Sequence, residues 1–414
     1  MRAVVRTPHA RGIRAGAAVL GAATALIAAS GAAAQAVDPA QEGIHVNAGL
    51  DVSYDSNAAR SAGLILANGR QSDERATPSL SVSISKTLGR NSLTLNASGG
   101  YDFYRRNKEL NRERLGFDAD LALVGGPCVI NLQPSISRAQ SDLGDIVPID
   151  IPGRRSVRNT QTTQSYAGEV QCGDSYGLRP LITAAHTAGN NSEPLRRISN
   201  YRSNTYGAGV AYGDPIYGEL ALRVTKQDTS YPDRPAIFGP GDFSTRRVAL
   251  NAQRSIGSTL TGSAGVSYVM VRPDSGSAAR DFNGFGWNVG LAMSPSPDLR
   301  VNANTSRDIS PSLGTDSLYQ VNRSYSLGAD YAFSDRLKAN VSGSIDKVRY
   351  NGSGGVFGPV LANSLNHRLT ASLSFIPSQR LTYTLYGGYQ DRETNNTIYN
   401  YHSYFIGLRT SIAL

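Results

Sequence analysis

The sequence has 414 residues, of which only 18% are charged and 43 are Gly, and its formal net charge is +9. Soluble globular proteins carry about 25% charged residues, and beyond the N-terminus no stretch offers the roughly 20 consecutive apolar residues of a membrane helix. These figures exclude a helical membrane protein, disfavour a charge-rich soluble enzyme and favour a membrane β-barrel, in which apolar residues occupy every second position.

Residues 1–36 have the features of a secretory signal peptide. The segment begins with four arginines and no acidic residue, and a stretch of small apolar residues follows from Ala15 to Ala29. Ala34-Gln35-Ala36 then forms an A-x-A cleavage site. Cleavage after Ala34, or retention as an N-terminal anchor helix, are the alternatives. Removal of the four arginines leaves 41 − 4 = 37 basic residues against 32 acidic ones, a charge of about +5. The lower charge weakens any argument for nucleic-acid binding.

From residue 43 onward, apolar and polar residues alternate in short runs. The first run places apolar residues at Ile44, Val46, Ala48, Leu50, Val52 and Tyr54. Strict alternation predicts a strand with one apolar and one polar face. Similar runs recur up to Leu414 and predict about 18 strands, within a range of 16–18. The runs near 128–138, 165–172 and 177–188 are the least regular.

The connections between the runs alternate in length. Short turns such as Gly89-Arg90-Asn91 are followed by long loops such as 139–163, which is the pattern of outer-membrane barrels. We therefore predict an all-β, transmembrane, antiparallel up-and-down β-barrel over 43–414 in the outer membrane of a Gram-negative bacterium. A short periplasmic segment, 37–42, precedes it, and both termini of the barrel lie in the periplasm. The alternative, a soluble β-sandwich, would carry more charge on its outer faces.

Six basic residues share the parity of the apolar face and lie near the long loops: Arg138, Lys226, Arg246, Arg323, Lys347 and Arg349. A cation that faces the hydrocarbon midplane costs about 2–4 kcal/mol, falling to near zero at the interface. These residues are therefore placed at the outer rim of the barrel. Contact with lipopolysaccharide phosphates and extension of the side chains into water are the two interpretations.

The opposite face of the runs is polar. A barrel of 16–18 strands is too wide for side chains to fill, so this face should line water. Candidate lumen residues are Arg223, Thr225, Asn302, Asn304, Lys338, Asn340, Arg368, Tyr104, Tyr217 and Tyr386. Hydroxyls, amides and charges of both signs suit neutral or hydrated solutes, including sugars. The three tyrosines either stack on sugar rings or fill space.

The two cysteines occupy comparable positions. Cys128 opens one run and Cys172 closes the next, so both lie at the short-turn end of neighbouring antiparallel strands with the parity of the apolar face. Opposed residues of this kind have Cβ atoms about 4.5–5.5 Å apart, and the periplasm is oxidising. We predict a disulfide, with two buried thiols as the alternative.

Enzyme chemistry has little support in the sequence. Gly173-Asp174-Ser175-Tyr176-Gly177 matches G-x-S-x-G, but that motif needs a strand-turn-helix setting, whereas Asp, Ser and Gly are ordinary turn formers. The five histidines have no metal-ligand spacing, and there is no phosphate-binding or dinucleotide-binding motif. We therefore expect no catalytic residue, no metal and no cofactor.

The chain resembles the outer-membrane β-barrel porin-2 family, which includes EpsL- and GelF-like barrels of exopolysaccharide operons. The resemblance rests on the opening segment Gly49 to Asn57, on runs of the Leu93 to Tyr101 type, and on the closing Gly407-Leu408-Arg409. It implies an outer-membrane location and assistance in export or surface assembly of an exopolysaccharide, with periplasmic export proteins as partners. It implies no catalytic residues.

Three functions are therefore compatible with the sequence. The leading expectation is passage of an exopolysaccharide through a polar, water-filled lumen. The first alternative is a general diffusion porin for small hydrophilic solutes. The second is a structural or adhesive barrel that acts through its extracellular loops, above all 56–76 and 139–163. Outer-membrane lipid is an expected partner in each case, and nucleic acid is not.

Overall fold

The computed structural model describes residues 42–58, 60, 71–140, 159–174, 176–235, 241–257, 259–275, 280–312, 317–351 and 361–414. The expected signal peptide, residues 1–36, lies outside these ranges, as does all but residue 42 of the expected periplasmic segment 37–42. No helix of the described ranges is long and apolar enough to cross a membrane.

The described chain forms eighteen strands. Their bounds are β1 Gly43–Asp55, β2 Asp73–Leu88, β3 Asn91–Tyr104, β4 Arg112–Gly125, β5 Cys128–Gln140, β6 Thr160–Cys172, β7 Gly177–Asn191, β8 Tyr201–Asp214, β9 Gly218–Ser230, β10 Phe243–Ile256, β11 Leu260–Pro273, β12 Phe282–Ser296, β13 Leu299–Pro311, β14 Tyr319–Ala332, β15 Leu337–Asn351, β16 Asn363–Ser378, β17 Leu381–Thr394 and β18 Tyr401–Ala413. Short 3₁₀ helices at Lys108–Leu110, Pro194–Ser199 and Thr397–Tyr399 lie in the connections.

The sheet closes on itself between its first and last strands. Each strand pairs antiparallel with its neighbours in sequence, and β1 also pairs with β18 from Asn47↔Ala413 to Asp55↔Phe405. Backbone hydrogen bonds extend the seam at both ends, from Ser56 N to Tyr404 O (2.9 Å) and from Leu414 N to Val46 O (2.9 Å). The sheet therefore has no free edge, and the structure confirms the predicted all-β barrel at the upper limit of its strand range.

Long and short connections alternate around the barrel, as the sequence predicts. At the short-turn end, β2 stops at Leu88 and β3 starts at Asn91, and the turn uses Gly89 at φ 66°, a left-handed conformation that glycine adopts without steric cost. At the long-loop end, β5 stops at Gln140 and β6 starts at Thr160. Both ends of the barrel chain, Gly43 and Ala413, lie at the short-turn end.

The outward face of the sheet is apolar and ringed by aromatic side chains. Leu50, Leu222 and Leu327 are examples of large apolar residues that remain exposed. Aromatic pairs bridge neighbouring residues of this face near the long loops, with ring centroids 5.5 Å apart for Tyr268–Phe285 and 4.9 Å apart for Tyr389–Tyr404. Tyr331 and Phe333 form such a pair near the short turns. An apolar belt between two aromatic girdles suits a bilayer, and the chain is an outer-membrane β-barrel.

The two cysteines face each other at the short-turn end. Cys128 is the register partner of Cys172, their Cα atoms are 3.9 Å apart, and a disulfide joins them. Gly173 N donates to Pro127 O (2.8 Å) directly beside the bond. The disulfide thus joins the start of β5 to the end of β6 and encloses the longest connection of the barrel.

Mass spectrometry tests this disulfide directly. The unfolded protein, alkylated without a reductant, is expected to carry no alkyl group, and after reduction it is expected to carry two. Two labelled cysteines in the unreduced sample would contradict the bond. Cys128→Ser alone supplies the control, because its remaining thiol should react without reductant.

Candidate functional site: the barrel lumen

Most of the predicted lining residues lie on the inner wall of the barrel. Asn340 Nδ2 donates to Asp330 Oδ1 (2.8 Å), and Arg368 Nη2 donates to Gln390 Oε1 (3.3 Å). The register places all but one of the predicted set on the face opposite the exposed apolar residues: Arg223, Thr225, Asn302, Asn304, Lys338, Asn340, Arg368, Tyr104 and Tyr386. The wall between them is rich in Ser, Thr and Asn, so water wets it.

Tyr217 is the exception, and its placement in the lumen is wrong. The residue lies in the turn between β8 and β9, and its side chain is 69% exposed. The carboxylate of Asp214 accepts hydrogen bonds from the backbone N–H groups of Ile216 (2.7 Å) and Tyr217 (2.9 Å). This Asx-type turn interrupts the strand alternation, so the parity of Tyr217 carries no information about the lumen.

Asp51 of β1 is the centre of a polar network on the inner wall. Its carboxylate is 3.1 Å from Arg409 Nε of β18 and 3.5 Å from Arg75 Nη2 of β2. The Tyr386 hydroxyl of β17 donates to it at 2.8 Å. The Asp51 side chain is only 11% exposed. One carboxylate therefore connects four strands across the seam that closes the barrel.

Tyr386 reaches Asp51 because a glycine lies between them. Tyr386 pairs in register with Gly407 of β18, and a Cβ on Gly407 would come within 2.5 Å of the tyrosine ring. The ring passes over this gap from β17 to β1, and the guanidinium of Arg409 lies 5.6 Å from its centroid. Tyr386 is therefore a structural part of the seam, which favours the space-filling role over stacking on a sugar.

The network continues around the wall as alternating charges. Arg75 Nε lies 3.9 Å from Asp102 of β3, and Asp102 accepts from Arg114 Nε of β4 (2.6 Å) and from the Thr77 hydroxyl (2.6 Å). Arg75 thus stands between Asp51 and Asp102, and both of these carboxylates are buried. Each charge has an opposite neighbour, which offsets the cost of removing it from water.

Charged groups on the opposite wall are paired in the same way. Arg223 of β9 lies 3.3 Å from Glu169 of β6, with two strands between them. Arg179 of β7 lies 2.6 Å from Glu219 of β9, and Arg247 of β10 forms an ion pair with Asp308 of β13. The lumen thus presents charges of both signs, mostly neutralised in place, and no long run of one sign.

An apolar cluster occupies one side of the lumen at the long-loop end. It contains Tyr201, Tyr231, Phe243, Val269, Val271, Ile309, Leu318, Tyr319 and Val321. The hydroxyl of Tyr231, which follows β9, donates to Leu318 O (2.5 Å) and accepts from Ser312 N (3.1 Å). Burial raises the pKa of this tyrosine above its ordinary value, so the group stays neutral. The described ends of the β13–β14 connection, Ser312 and Leu318, are thereby held against the cluster.

The remaining predicted positions are also located. The six rim cations lie on the outward face at the long-loop end, and two of them have carboxylate partners: Arg138 with Glu113 (2.7 Å) and Lys226 with Asp228 (2.8 Å). Ser175 of the G-x-S-x-G match lies outside the described residues, as do most of loops 56–76 and 139–163.

Sequence reasoning missed three functional features. Asp51, Arg75 and Asp102 were not recognised, because their partners lie on other strands. Tyr231 follows a strand and belongs to no alternating run. Arg307 has the parity of the outer face and lies opposite Arg323 on the next strand. Its parity is the sequence signal that could have identified it.

Comparisons with known proteins were made on sequence and on structure. No family model and no curated protein matches the chain. Similar solved structures include the Pseudomonas aeruginosa porin OccK2 (OpdF) in complex with glucuronate, at 12% identity, 90% coverage of this chain and 98% of that one, with a TM-score of 0.45. The outer-membrane protein OpdK of Pseudomonas aeruginosa is 14% identical, with 90% and 99% coverage and a TM-score of 0.45.

A BenF-like porin from Pseudomonas fluorescens Pf-5 is 10% identical to the chain, with 90% and 99% coverage and a TM-score of 0.44.

Replacement of Asp51 by Asn should destabilise the barrel by about 1–3 kcal/mol, because it removes the negative charge that Arg409 and Arg75 share and leaves Arg75 with Asp102 as its remaining counter-charge. Unfolding in urea, followed by the loss of heat-modifiable migration, measures the change. Asp330→Asn is the matched control, since Asp330 is an exposed lumen carboxylate whose hydrogen-bond partner among the described residues is Asn340. An equal loss in both variants would contradict the role of Asp51.

Replacement of Tyr231 by Phe should loosen the mouth of the lumen. The change leaves Ser312 N without its hydroxyl acceptor and should raise the single-channel conductance and its open-state noise, at a cost of about 1–3 kcal/mol in stability. Tyr325→Phe on the outer face is the control, and its conductance should match that of the parent protein. An unchanged trace for Tyr231→Phe would show that the bond does not hold the connection against the cluster.

Proposed function

We propose that the protein is an outer-membrane porin through which small hydrophilic solutes diffuse. In this proposal the long-loop end faces the exterior and both barrel termini face the periplasm. The observation that carries it is the inner wall, which is polar from strand to strand and surrounded by a closed sheet of eighteen strands. Barrels of 16–18 strands are wide enough for an aqueous channel.

The arrangement of lumen charges supports neutral solutes as the main class. Ion pairs such as Arg223–Glu169 and Arg179–Glu219 leave little net field along the wall, so ions of both signs should pass with similar ease. Hydroxyl and amide groups, as at Asn302 and Asn304, offer hydrogen bonds that suit sugars and similar compounds. We propose selection mainly by size.

The mouth of the lumen supports small solutes over a polymer. The apolar cluster around Tyr231 occupies the long-loop end on the side of β8 to β14, where an exported polysaccharide would have to leave. The exopolysaccharide role and its periplasmic partners, which were the leading expectation from the resemblance, stay predictions that no comparison tests. The adhesive alternative depends on loops that lie largely outside the described residues.

We also propose that the protein has no catalytic function. Within the described ranges, no three His, Cys, Asp or Glu side chains gather as metal ligands. Several charged residues of the lumen, such as Arg223 and Glu169, form ion pairs between strands, and these pairs account for their placement without any reaction.

Reconstitution into liposomes tests the porin function. Swelling is expected with neutral monosaccharides, slower with disaccharides and absent with large polymers, while a salt gradient across a planar bilayer should give a reversal potential near zero. Liposomes with a heat-denatured sample supply the control. A folded, inserted barrel that admits no sugar and conducts no ions would overturn the proposal, and strong selectivity for one ion sign would overturn its solute class.

A further inference from the structure

The outer face carries a group of four cations on three neighbouring strands, here called the β13–β15 cation row. Arg307 of β13 pairs in register with Arg323 of β14, and Arg323 pairs with Lys347 of β15. Arg349 is the next residue of β15 after Lys347 with outward parity, and it lies closer to the long loop. Directly opposed residues of neighbouring strands have Cβ atoms about 4.5–5.5 Å apart, and like charges in such positions repel each other.

The row has no carboxylate to balance it within the described residues. Among the residues that the structure describes, no ion pair involves any of its four members, whereas Arg138 and Lys226, at the same end of the barrel, have Glu113 and Asp228 within 2.8 Å. Across the sheet, Lys347 of β15 lies opposite Leu365 of β16, and Leu365 lies opposite Glu393 of β17. Glu393 is therefore two strands away from Lys347. The row is thus an uncompensated positive patch on the wall that faces the membrane.

Arg307 is held in place by a break in the sheet. The β12–β13 ladder ends at the pair Trp287↔Arg307, although β12 begins at Phe282 and β13 continues to Pro311. Arg307 Nη1 donates to Phe285 O (2.9 Å), and its guanidinium carbon lies 5.6 Å from the ring centroids of Trp287 and Phe282. Its Nε is buried and has no hydrogen-bond partner among the described residues. One member of the row is therefore held in a fixed position.

The surface directly below the row is apolar. The next outward residues toward the short-turn end are Tyr325 (46% exposed) on β14 and Ile345 (44% exposed) on β15, followed by Leu327 (61% exposed) and Val341 (50% exposed). A ligand that satisfies both parts of this surface needs an anionic head beside the cations and hydrocarbon chains along the belt. A phosphorylated lipid has this chemistry, and a soluble anion does not.

We propose that the β13–β15 cation row is a binding site for the phosphates of lipopolysaccharide in the outer leaflet. Charge complementarity with Arg323, Lys347 and Arg349 supplies the attraction. Arg307 holds one end of the row at the break in the sheet, and the acyl chains lie against Tyr325, Ile345 and Leu327. The same reasoning separates this row from Arg138 and Lys226, whose carboxylate partners already neutralise them.

Native mass spectrometry of the purified barrel tests the site, with diphosphorylated lipid A as the probe at graded concentrations. The triple variant Arg323→Gln, Lys347→Gln and Arg349→Gln should weaken binding at least tenfold. Arg307 is left intact because it also supports the break in the sheet. The double variant Arg138→Gln and Lys226→Gln is the matched control and should bind like the parent. Heat-modifiable migration verifies that each variant is folded.

Two further probes distinguish the source of the phosphate. Lipid A without phosphates should bind the parent barrel at least tenfold more weakly, and inorganic phosphate in millimolar excess should not displace diphosphorylated lipid A. Equal binding by the folded triple variant and the parent would overturn the proposal. So would an equal loss in the control variant, equal binding of the phosphate-free lipid, or displacement by inorganic phosphate. None of these results depends on whether the lumen conducts solutes.

Discussion

The need to pair every backbone N–H and C=O group within hydrocarbon governs this structure. A sheet in a bilayer cannot keep an open edge, because no water is present to satisfy it. The first strand must therefore meet the last, and β1 and β18 pair over their full shared length. This seam pairs residues 350 or more positions apart, so it is the least local contact of the chain and the most costly in chain entropy.

Side chains of the inner wall reinforce the seam that the backbone hydrogen bonds of β1 and β18 close. Asp51 connects β1 to β2, β17 and β18 through Arg75, Tyr386 and Arg409, and Gly407 leaves the space that Tyr386 crosses. The charges of the lumen thus have a structural use in addition to wetting the channel. Because carboxylates such as Asp51 and Asp102 stand beside guanidinium groups, these parts of the wall stay hydrophilic without a strong field of either sign, a combination that suits passage of neutral solutes.

Strand number, face parity and the cysteine pair all follow from period-2 alternation, since alternation is a local property that single runs display. Even the irregular runs became β5, β6 and β7, because pairing with regular neighbours determines their register. Tyr217 was misplaced because Asp214 ends the strand by a side-chain turn that parity does not detect. The Asp51 network was missed because charge partners on distant strands leave no periodic signal. The segments that carry the family resemblance, Gly49 to Asn57 and Gly407 to Arg409, nonetheless contain the two sides of the seam.

The outer rim shows a similar limit. Parity alone grouped six cations, yet Arg138 and Lys226 are neutralised by neighbours, and Arg307 joins Arg323 and Lys347 only through the register. The carboxylate partner of each cation, on the next strand for Arg138 and on the same strand for Lys226, separates a neutralised cation from a candidate lipid contact.

The central claim is that one face of the sheet lines water and the other faces lipid. Single cysteines at successive positions of β16, from Leu369 to Leu373, in a background without the two native cysteines, test it through labelling by a charged, water-soluble thiol reagent in liposomes. Labelling at Thr370 and Ser372, with little at Leu369, Ala371 and Leu373, is the expected result. Uniform labelling, or no labelling at Thr370 and Ser372 in a folded barrel, would contradict a water-filled lumen.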